Sequence, residues 1–447
     1  MPELLELARS VADAALPGEQ VEAYLARSSE TSVRVFDEKV EQFSTSENEG
    51  IGVRVVVGSR QGFAWKGSLE GHSVAEALSA ARENAAFASP DERTQIAVPD
   101  DVAPIELGLW REELAGVSAD AKLELAFELE RRILANDKRM KRVVRSDYAD
   151  SLIETALVTS TGISSSTRRT MCQLSGYGIA EEGGEQQAGF GVTAGRATSD
   201  LDVDSCAADV ATRATRLLGA TKPRSSRMTV VFDRRVTAAI VRILAETLSG
   251  EEVAKGRSIF AHRLGESVAP PDVHLVEDPT DELALGASPV DGEGLATRRV
   301  ELIADGTVNA FLHDTRSGRA AGTASTGSAV RGSYRTAPRV GSRAVSLMPG
   351  RQSHEEILAE AGDGLFVQSV SGLHSGVNPV SGDFSVGAEG LMIRGGALAD
   401  PVREMTVAST LQRILRDVFA VGSDLEWLPG PSAGLTIAVR DVSVGGT

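Results

Sequence analysis

A segment close to the end of the chain, GVNPVSGDFSVGAEG at residues 376–390, combines glycines with short polar side chains. Glycine is used where the backbone takes a positive φ or where another group approaches it closely, and each glycine costs conformational entropy on folding. Asn378, Ser381 and Asp383 could supply hydrogen bonds there. The alternative is an ordinary turn before a strand, because Asn-Pro and Ser-Gly-Asp are common turn sequences. The segment alone leaves both interpretations open.

The common catalytic motifs give no competing site. No Gly-Lys-Ser or Gly-Lys-Thr follows a glycine-rich turn, so a phosphate-binding loop is not indicated. The serine-rich stretches GSYRTAP and GTASTGS contain no Gly-x-Ser-x-Gly elbow. The six histidines are scattered without His-x-x-x-His spacing. A weaker interpretation gives the chain its own activity through His374, Ser381 and Asp383, although residues so close in sequence rarely form a triad.

Composition limits the class of protein. The chain has 447 residues, 42% hydrophobic and 24% charged, which is ordinary for a globular protein with two or three domains. Its formal net charge of -17 would repel a phosphate backbone, so we expect no nucleic-acid partner. The two cysteines, Cys172 and Cys206, lack the spacing of a disulfide framework or a zinc site. With no membrane-length apolar stretch and no signal-like N-terminus, we expect no membrane partner and a cytoplasmic location.

The elements that would position the segment follow from hydrophobic periodicity. The first half predicts an amphipathic helix from Pro2, antiparallel strands from about Val33, a helix capped by a Ser73–Glu76 box, and two later helices separated by strands. The second half is mostly short β-runs broken by glycine, with hairpins at Asp305-Gly306 and Gly395-Gly396. We therefore predict an α+β protein in which N-terminal α/β layers precede a β-rich, barrel- or sandwich-like C-terminal domain. The predicted domains are residues 1–105, 106–221 and 228–447.

Three stretches carry a resemblance to a known family. They are EGIGVRVVVGSRQGFAW from Glu49, RMTVVFDRRVTAAIVRILAETLSGEEV from Arg227, and the block that runs from Val377 to Trp427. In this order they resemble the TldD/PmbA family of bacterial proteases, over nearly the whole chain from about Val33. The resemblance implies a two-subunit peptidase in which a TldD-like subunit holds zinc and a TldE or PmbA subunit has the same fold without the metal ligands. The family is associated with cutting unfolded peptides and maturing ribosomally made ones.

The same resemblance indicates which subunit this is. In the TldD-like subunit, zinc is held by His-Glu-x-x-x-His and by a cysteine near the C-terminus. The matching stretch here is AETLSG, in which Ala245 and Gly250 occupy the histidine positions and only Glu246 remains. No cysteine lies near the C-terminus. The chain therefore resembles the PmbA/TldE subunit, for which we expect no catalytic residue and no metal, with zinc in a TldD-like partner.

The resemblance also gives the glycine-rich segment a role. If the C-terminal domain carries a cleft, glycines in its lining would let the main chain of an extended peptide approach, as in strand addition. The predicted substrate-binding residues are Gly376, Asn378, Ser381, Gly382 and Asp383, of which Gly382 is the least replaceable. Under the turn interpretation, Asp383 caps a turn and Phe384 fills the core. A stand-alone peptide-binding or regulatory homodimer without hydrolysis is the alternative function.

Overall fold

The chain opens with an amphipathic helix, as the sequence predicts. The structure is a computed structural model and describes residues 2–447. Helix α1 spans Pro2–Asp13, and Leu4, Ala8 and Val11 lie buried on one face of it. This face packs on the strands that follow, which is the usual source of stability for a surface helix.

The first half of the chain continues as a layer of long strands covered by helices. Its further elements are β1 (Glu19–Phe36), β2 (Lys39–Val57), β3 (Arg60–Lys66), α2 (Gly71–Phe87), α3 (Glu112–Ala115), α4 (Ala119–Asn136), β4 (Met140–Thr159), β5 (Ser164–Glu182), β6 (Glu185–Gly195), a 3-10 turn at Thr198–Asp200 and α5 (Val203–Thr215). The strands form one six-stranded antiparallel sheet in the order β3-β2-β1-β4-β5-β6. Strands from both predicted first-half domains thus belong to a single sheet.

Alternation along β1 gives this sheet two different faces. Val21, Ala23 and Leu25 pack against the helices. Tyr24 and Ser28 point to the opposite face, where loops of the C-terminal half cover them. The strand is therefore buried on one side by its own domain and on the other by the next.

The predicted capping box at Ser73 and Glu76 is wrong. Helix α2 begins three residues earlier, at Gly71, with Glu70 as its N-cap residue and no side-chain capping bond. The Val74 N–H donates to the Glu70 carbonyl, so Ser73 already lies inside the first turn. Its hydroxyl sits 3.4 Å from His72 Nε2 instead.

The second half of the chain is built from shorter strands with helices between them. Its elements are β7 (Ser226–Phe232), α6 (Arg234–Thr247), α7 (Gly250–Ala254), β8 (Leu275–Glu277), β9 (Val300–Ala304), β10 (Thr307–Val308), α8 (Thr315–Ala321), β11 (Ala329–Val330), β12 (Arg339–Val340), β13 (Val345–Leu347), α9 (His354–Ala361), β14 (Gly364–Ser371), α10 (Leu373–Gly376), β15 (Asp383–Arg394), β16 (Ala397–Thr410), α11 (Leu411–Arg416), β17 (Val418–Val421), β18 (Glu426–Trp427), β19 (Ala433–Gly434) and β20 (Ile437–Gly445).

Five of these strands close into a barrel. The order is β16-β15-β14-β7-β20, and β20 pairs back with β16 to close the ring. Strands β7 and β14 are parallel, and the other neighbours in the ring are antiparallel. A large apolar cluster that includes Phe232, Phe384 and Val407 joins the barrel strands to α6 and α11. The predicted α+β class with a barrel-like C-terminal domain is confirmed.

Both predicted hairpins form where the turn residues indicate. Asp305 and Gly306 adopt positive φ of 49° and 70° between β9 and β10. Gly395 and Gly396 do the same, at 56° and 82°, between β15 and β16. Positive φ is what such two-residue turns require. Among residues 2–447, no helix is long and apolar enough to cross a membrane.

Gly189 on β6 provides a test of how closely helix and sheet pack. A Cβ atom at this position would overlap the Val210 carbonyl oxygen and lie 2.7 Å from the Ala214 nitrogen, both on α5. We expect Gly189→Ala to push α5 off the sheet and to lower the free energy of unfolding by about 1–3 kcal/mol. Urea unfolding measures this change.

The matched control is Gly71→Ala at the exposed start of α2, where a Cβ atom meets nothing within 4 Å. This substitution should change stability by no more than about 0.5 kcal/mol. Equal effects of the two substitutions would show that the α5–β6 packing is looser than described.

Candidate functional site

The positions that the resemblance assigns to a zinc motif lie at the end of α6 and the start of α7. Ala245 is buried in the core of the C-terminal half. The Glu246 carboxylate points away from that core and pairs with Arg242 one helical turn earlier, at 2.6 Å. Helix α6 ends at Thr247, so Gly250 belongs to the next helix. A continuous helix that would carry all three positions is therefore interrupted.

His313 occupies the space beside Gly250. A Cβ atom built on Gly250 would overlap the imidazole ring, and the Gly250 N–H donates to the Leu312 carbonyl at 2.8 Å. His313 is buried, with Nδ1 3.3 Å from the Ser317 hydroxyl, and burial lowers the pKa of the imidazole. This arrangement leaves no room for a side chain at position 250.

The donors near these positions do not fit a zinc ion. Alanine and glycine offer no lone pair, and zinc sites need three or four nitrogen, sulfur or oxygen ligands. Within residues 2–447, no group of three or more His, Cys, Asp and Glu side chains could hold a metal ion. Cys172 and Cys206 lie in the first half of the chain, and burial raises the pKa of each thiol to about 12.

The glycine-rich segment forms an exposed turn between α10 and β15. The Asn378 side-chain carbonyl accepts hydrogen bonds from the N–H groups of Val380, at 2.9 Å, and Ser381, at 3.2 Å. The Ser381 hydroxyl donates to the Asp383 carboxylate at 2.6 Å. Gly382 has a φ of 84°, and a Cβ atom there would overlap the Gln412 amide. The structure thus brings the predicted residues together, in a turn held by its own hydrogen bonds.

Two neighbours of this turn behave differently. Phe384 is buried in the barrel core, as the turn interpretation expects. His374 is exposed on α10, and in the described chain no hydrogen bond joins it to Ser381 or Asp383. Whether the turn also meets a substrate stays a prediction.

A Gly-x-Ser-x-Gly sequence at Gly430–Gly434 was not among the sequence candidates. Its serine, Ser432, is buried and pairs through its main chain with Val345, and the residues after it form β19. A nucleophile elbow needs a sharp turn from a strand into a helix, which exposes the serine. Ser432 has neither feature, so the spacing here reflects strand packing.

A cleft between the first sheet and the C-terminal loops is a feature that local sequence patterns missed. It has a volume of about 370 Å³. One wall consists of alternate residues of β1, β4 and β5, and the other consists of the loops around residues 287–292 and 331–335 together with Arg343. In the sequence, the alternation of Tyr24, Ala26 and Ser28 indicates that these side chains share one face of β1. It does not indicate which segment of the chain covers that face.

Buried charges hold the two walls of the cleft together. Glu22 of β1 accepts from Arg54 of β2 at 2.6 Å and from Arg331 of a C-terminal loop. Arg54 also reaches Glu293 of the opposite wall at 3.4 Å. Burial raises the pKa of the Glu22 carboxyl, but the two guanidinium groups together outweigh burial and hold the pKa below its usual range. The two arginines thus favour the ionised form of Glu22, whereas burial raises the pKa of Glu293.

Two further buried acids stand behind the loops. Burial raises the pKa of Asp291 to about 7, and the Glu293 charge adds to the rise. Burial also raises the pKa of Glu277 to about 7, against the hydrogen bonds that the backbone N–H groups of Arg343 and Ala344 donate to it. Both carboxyls serve mainly as acceptors for main-chain N–H groups of these loops.

Comparison with known proteins agrees with this architecture. Three family models match in succession: PmbA/TldA metallopeptidase domain 1 over residues 21–85, the central domain over residues 112–218, and the C-terminal domain over residues 225–446. The chain belongs to the TldD/PmbA family. The first two matched ranges cover the sheet of the first half, and the third covers the barrel of the second half.

Individual relatives match this TldD/PmbA family member over nearly the whole length of both proteins. Metalloprotease PmbA of Escherichia coli O157:H7 is 29% identical over 427 residues, 95% of this chain and 92% of that protein. The metalloprotease TldD homolog of Haemophilus influenzae is 24% identical over 449 residues, with the same coverage of 95% and 92%. TldE from Thermococcus kodakarensis has the same fold, with a TM-score of 0.89 at 23% identity over 100% of both chains.

The buried network of this family member can be tested at Glu22. Removing one partner of a buried ion pair leaves an uncompensated charge, which costs roughly 3–5 kcal/mol. We expect Glu22→Gln to lower the free energy of unfolding by about that amount, because it leaves Arg54 and Arg331 underneutralised. Denaturant unfolding at neutral pH measures the loss.

Glu30→Gln is the matched control, since Glu30 lies on the same strand and face with an exposed side chain. Its effect should stay within about 0.5 kcal/mol. A loss of similar size for both variants would mean that Glu22 is not held by the arginines.

Proposed function

We propose that this chain is the non-catalytic, TldE/PmbA-like subunit of a heterodimeric TldD/TldE zinc metallopeptidase that acts on unfolded or ribosomally made peptides. The observation that carries the proposal is the His313 ring beside Gly250, which fills the place where the family's second histidine would stand. The zinc and the cleavage chemistry then belong to a TldD-like partner.

Three further observations support this division of labour. Glu246, the remaining residue of the motif, is engaged with Arg242 on an exposed helix face. The relatives include proteins named for both sides of the family, PmbA and TldD, at comparable coverage. The fold matches a protein named TldE along its whole length. A chain that keeps the entire architecture but lacks the metal donors is suited to complete a substrate chamber.

The decisive experiment reconstitutes the complex. The chain, a TldD-like protein from the same genome, and their mixture are analysed for zinc by elemental analysis, for mass by light scattering, and for cleavage of an unfolded peptide. We expect no stoichiometric zinc in this chain alone, a one-to-one complex in the mixture, and cleavage only by the mixture. Glu246→Gln in this chain should leave cleavage unchanged, because that carboxylate faces solvent.

Two results would contradict the proposal. One tightly held zinc ion per chain, or cleavage by this chain alone, would make it catalytic. A homodimer that binds peptide and ignores the TldD-like protein would favour the regulatory alternative.

The peptide-handling role of the turn at residues 376–383 is part of the same proposal. We expect Asp383→Ala to reduce cleavage by the reconstituted complex several-fold per assembled subunit, because it removes a hydrogen-bonding group from the substrate path. Its effect on stability should be on the order of 1 kcal/mol, the value of one lost turn hydrogen bond. Cleavage rates and melting temperatures are measured together.

Ser385→Ala is the matched control, since Ser385 is the next exposed side chain on the same face of β15. It should leave cleavage and stability unchanged. Normal cleavage by Asp383→Ala, with a lowered melting temperature, would show that the turn is structural only.

A further inference from the structure

One arginine of the interdomain cleft has no partner among residues 2–447. Strand β5 places Arg169 opposite Ile153 of β4, and its side chain lines the cleft together with Ser165 and Thr167 from the same strand face. In the described part of the chain, the Arg169 guanidinium makes no hydrogen bond and no ion pair within 4 Å. Burial lowers its pKa, and the charge of Arg343 lowers it further.

Arg343 faces the same cleft from the opposite wall and is also poorly satisfied. Its Nη2 group makes one long hydrogen bond, 3.4 Å, to the Ala329 carbonyl, and its Nε atom is buried without a partner. The nearby carboxylates Glu277 and Asp291 accept hydrogen bonds from main-chain N–H groups, and neither forms an ion pair with Arg343 within residues 2–447. Two guanidinium groups therefore face one cavity, which Asp291 also lines without pairing with either of them in the described chain.

A third arginine, Arg196, adds positive charge near Arg169. Arg196 is buried, donates to the carbonyls of Glu282 and Ala284, and leaves Nη1 without a partner. Burial lowers its pKa, and the charge of Arg169 contributes.

Other arginines of the cleft are satisfied, which makes the contrast informative. Arg331 pairs with Glu22 and donates to the Gly292 carbonyl at 2.6 Å. Arg335 lies over the rings of Trp65 and Tyr334. The chain carries 63 acidic against 46 basic residues, so acids were available for pairing. Uncompensated buried charge is costly, and buried charges are normally paired.

We propose that Arg169 and Arg343 form a carboxylate-binding site, which takes the C-terminal carboxylate of an extended peptide. A guanidinium presents a planar fork of N–H donors that matches a carboxylate, and such charge-assisted bonds are stronger than neutral ones. The hydroxyls of Ser165 and Thr167 provide further donors on the same strand face. The volume of about 370 Å³ lies within the range of ligand pockets, about 300–1,000 Å³.

This proposal rests on the proposed function and adds to it the place where the C-terminal end of the peptide substrate binds. Its test needs neither the partner subunit nor peptide cleavage. It therefore fails or succeeds separately from the heterodimer. The full chain alone is titrated with a fluorescently labelled unfolded peptide that ends in a free carboxylate, and with the same peptide as its C-terminal amide. A third peptide has an internal Asp and an amidated end, and inorganic phosphate is the fourth ligand.

We expect the free acid to bind at least tenfold more tightly than the amide. Arg169→Gln should abolish this difference, and Arg169→Lys, which keeps the charge but loses the fork, should retain only part of it. Arg145→Gln is the matched control, because Arg145 is an exposed arginine of β4 that pairs with Asp147 outside the cleft. It should preserve the full discrimination.

A stability readout separates binding from a structural role. Without ligand, Arg169→Gln should melt at the same temperature as the natural chain or higher, because it removes a half-buried charge that lacks a partner in the described chain. The free-acid peptide should raise the melting temperature of the natural chain and not that of the variant.

Several outcomes would overturn the proposal. Equal affinity for acid and amide would show that the carboxylate is not recognised. Equally tight binding of the internal-Asp peptide would assign the site to acidic side chains, and tight phosphate binding without peptide preference would assign it to a free anion. A clearly lowered melting temperature of Arg169→Gln with retained discrimination would make Arg169 structural.

Discussion

Four charged side chains, Glu22, Arg54, Glu293 and Arg331, join the first sheet to the loops of the C-terminal half, and each exposes only 1–5% of its side chain. Removing such charges from water is expensive, and only close pairing with further hydrogen bonds offsets the cost. Glu293 meets that condition by accepting the N–H of Thr315 at the start of α8, at 2.8 Å. These pairs favour the observed docking of the two halves, because separating them would leave buried charges without partners.

The shape of the cleft follows from this docking. Once Arg331 is anchored to Glu22, it lies over the Tyr24 ring, and the next residues of its loop press on β2. Gly50 and Gly52 permit this contact, because a Cβ atom on either residue would overlap Tyr334. What remains open is the strip of sheet around Arg169, bounded on the far side by Arg343. The cleft is thus the part of the interface that the docked loops leave uncovered.

Two of the positions that the resemblance assigns to a zinc motif, Ala245 and Gly250, are buried at the end of α6 and the start of α7. Helix α6 still packs its apolar face into the C-terminal core. Gly250 and His313 then fit together as a packed pair, with the ring taking the volume that a side chain at position 250 would need. The buried histidine ring and the glycine pack together in the core, and burial lowers the pKa of the imidazole.

The sequence alone specifies those helices and turns that depend only on neighbouring residues in the chain. Apolar spacing placed α1, and the turn residues at Asp305-Gly306 and Gly395-Gly396 placed two hairpins, because positive φ is a property of the residues themselves. The positive φ of Gly382 belongs to the same class. The sequence also shows alanine and glycine at positions 245 and 250, and the role that the family resemblance gives them stays a prediction.

Only the tertiary structure decided the features that depend on distant partners. Ser73 and Glu76 had the spacing of a capping box, yet α2 begins earlier because the backbone bond from Val74 to Glu70 extends it. Arg169 is one arginine among many in the sequence, and its lack of an acid became apparent only when β4, β5 and the Arg343 loop came together. Charge pairing and cleft formation join residues that are far apart in the chain. Their energies depend on burial, which local sequence patterns do not specify.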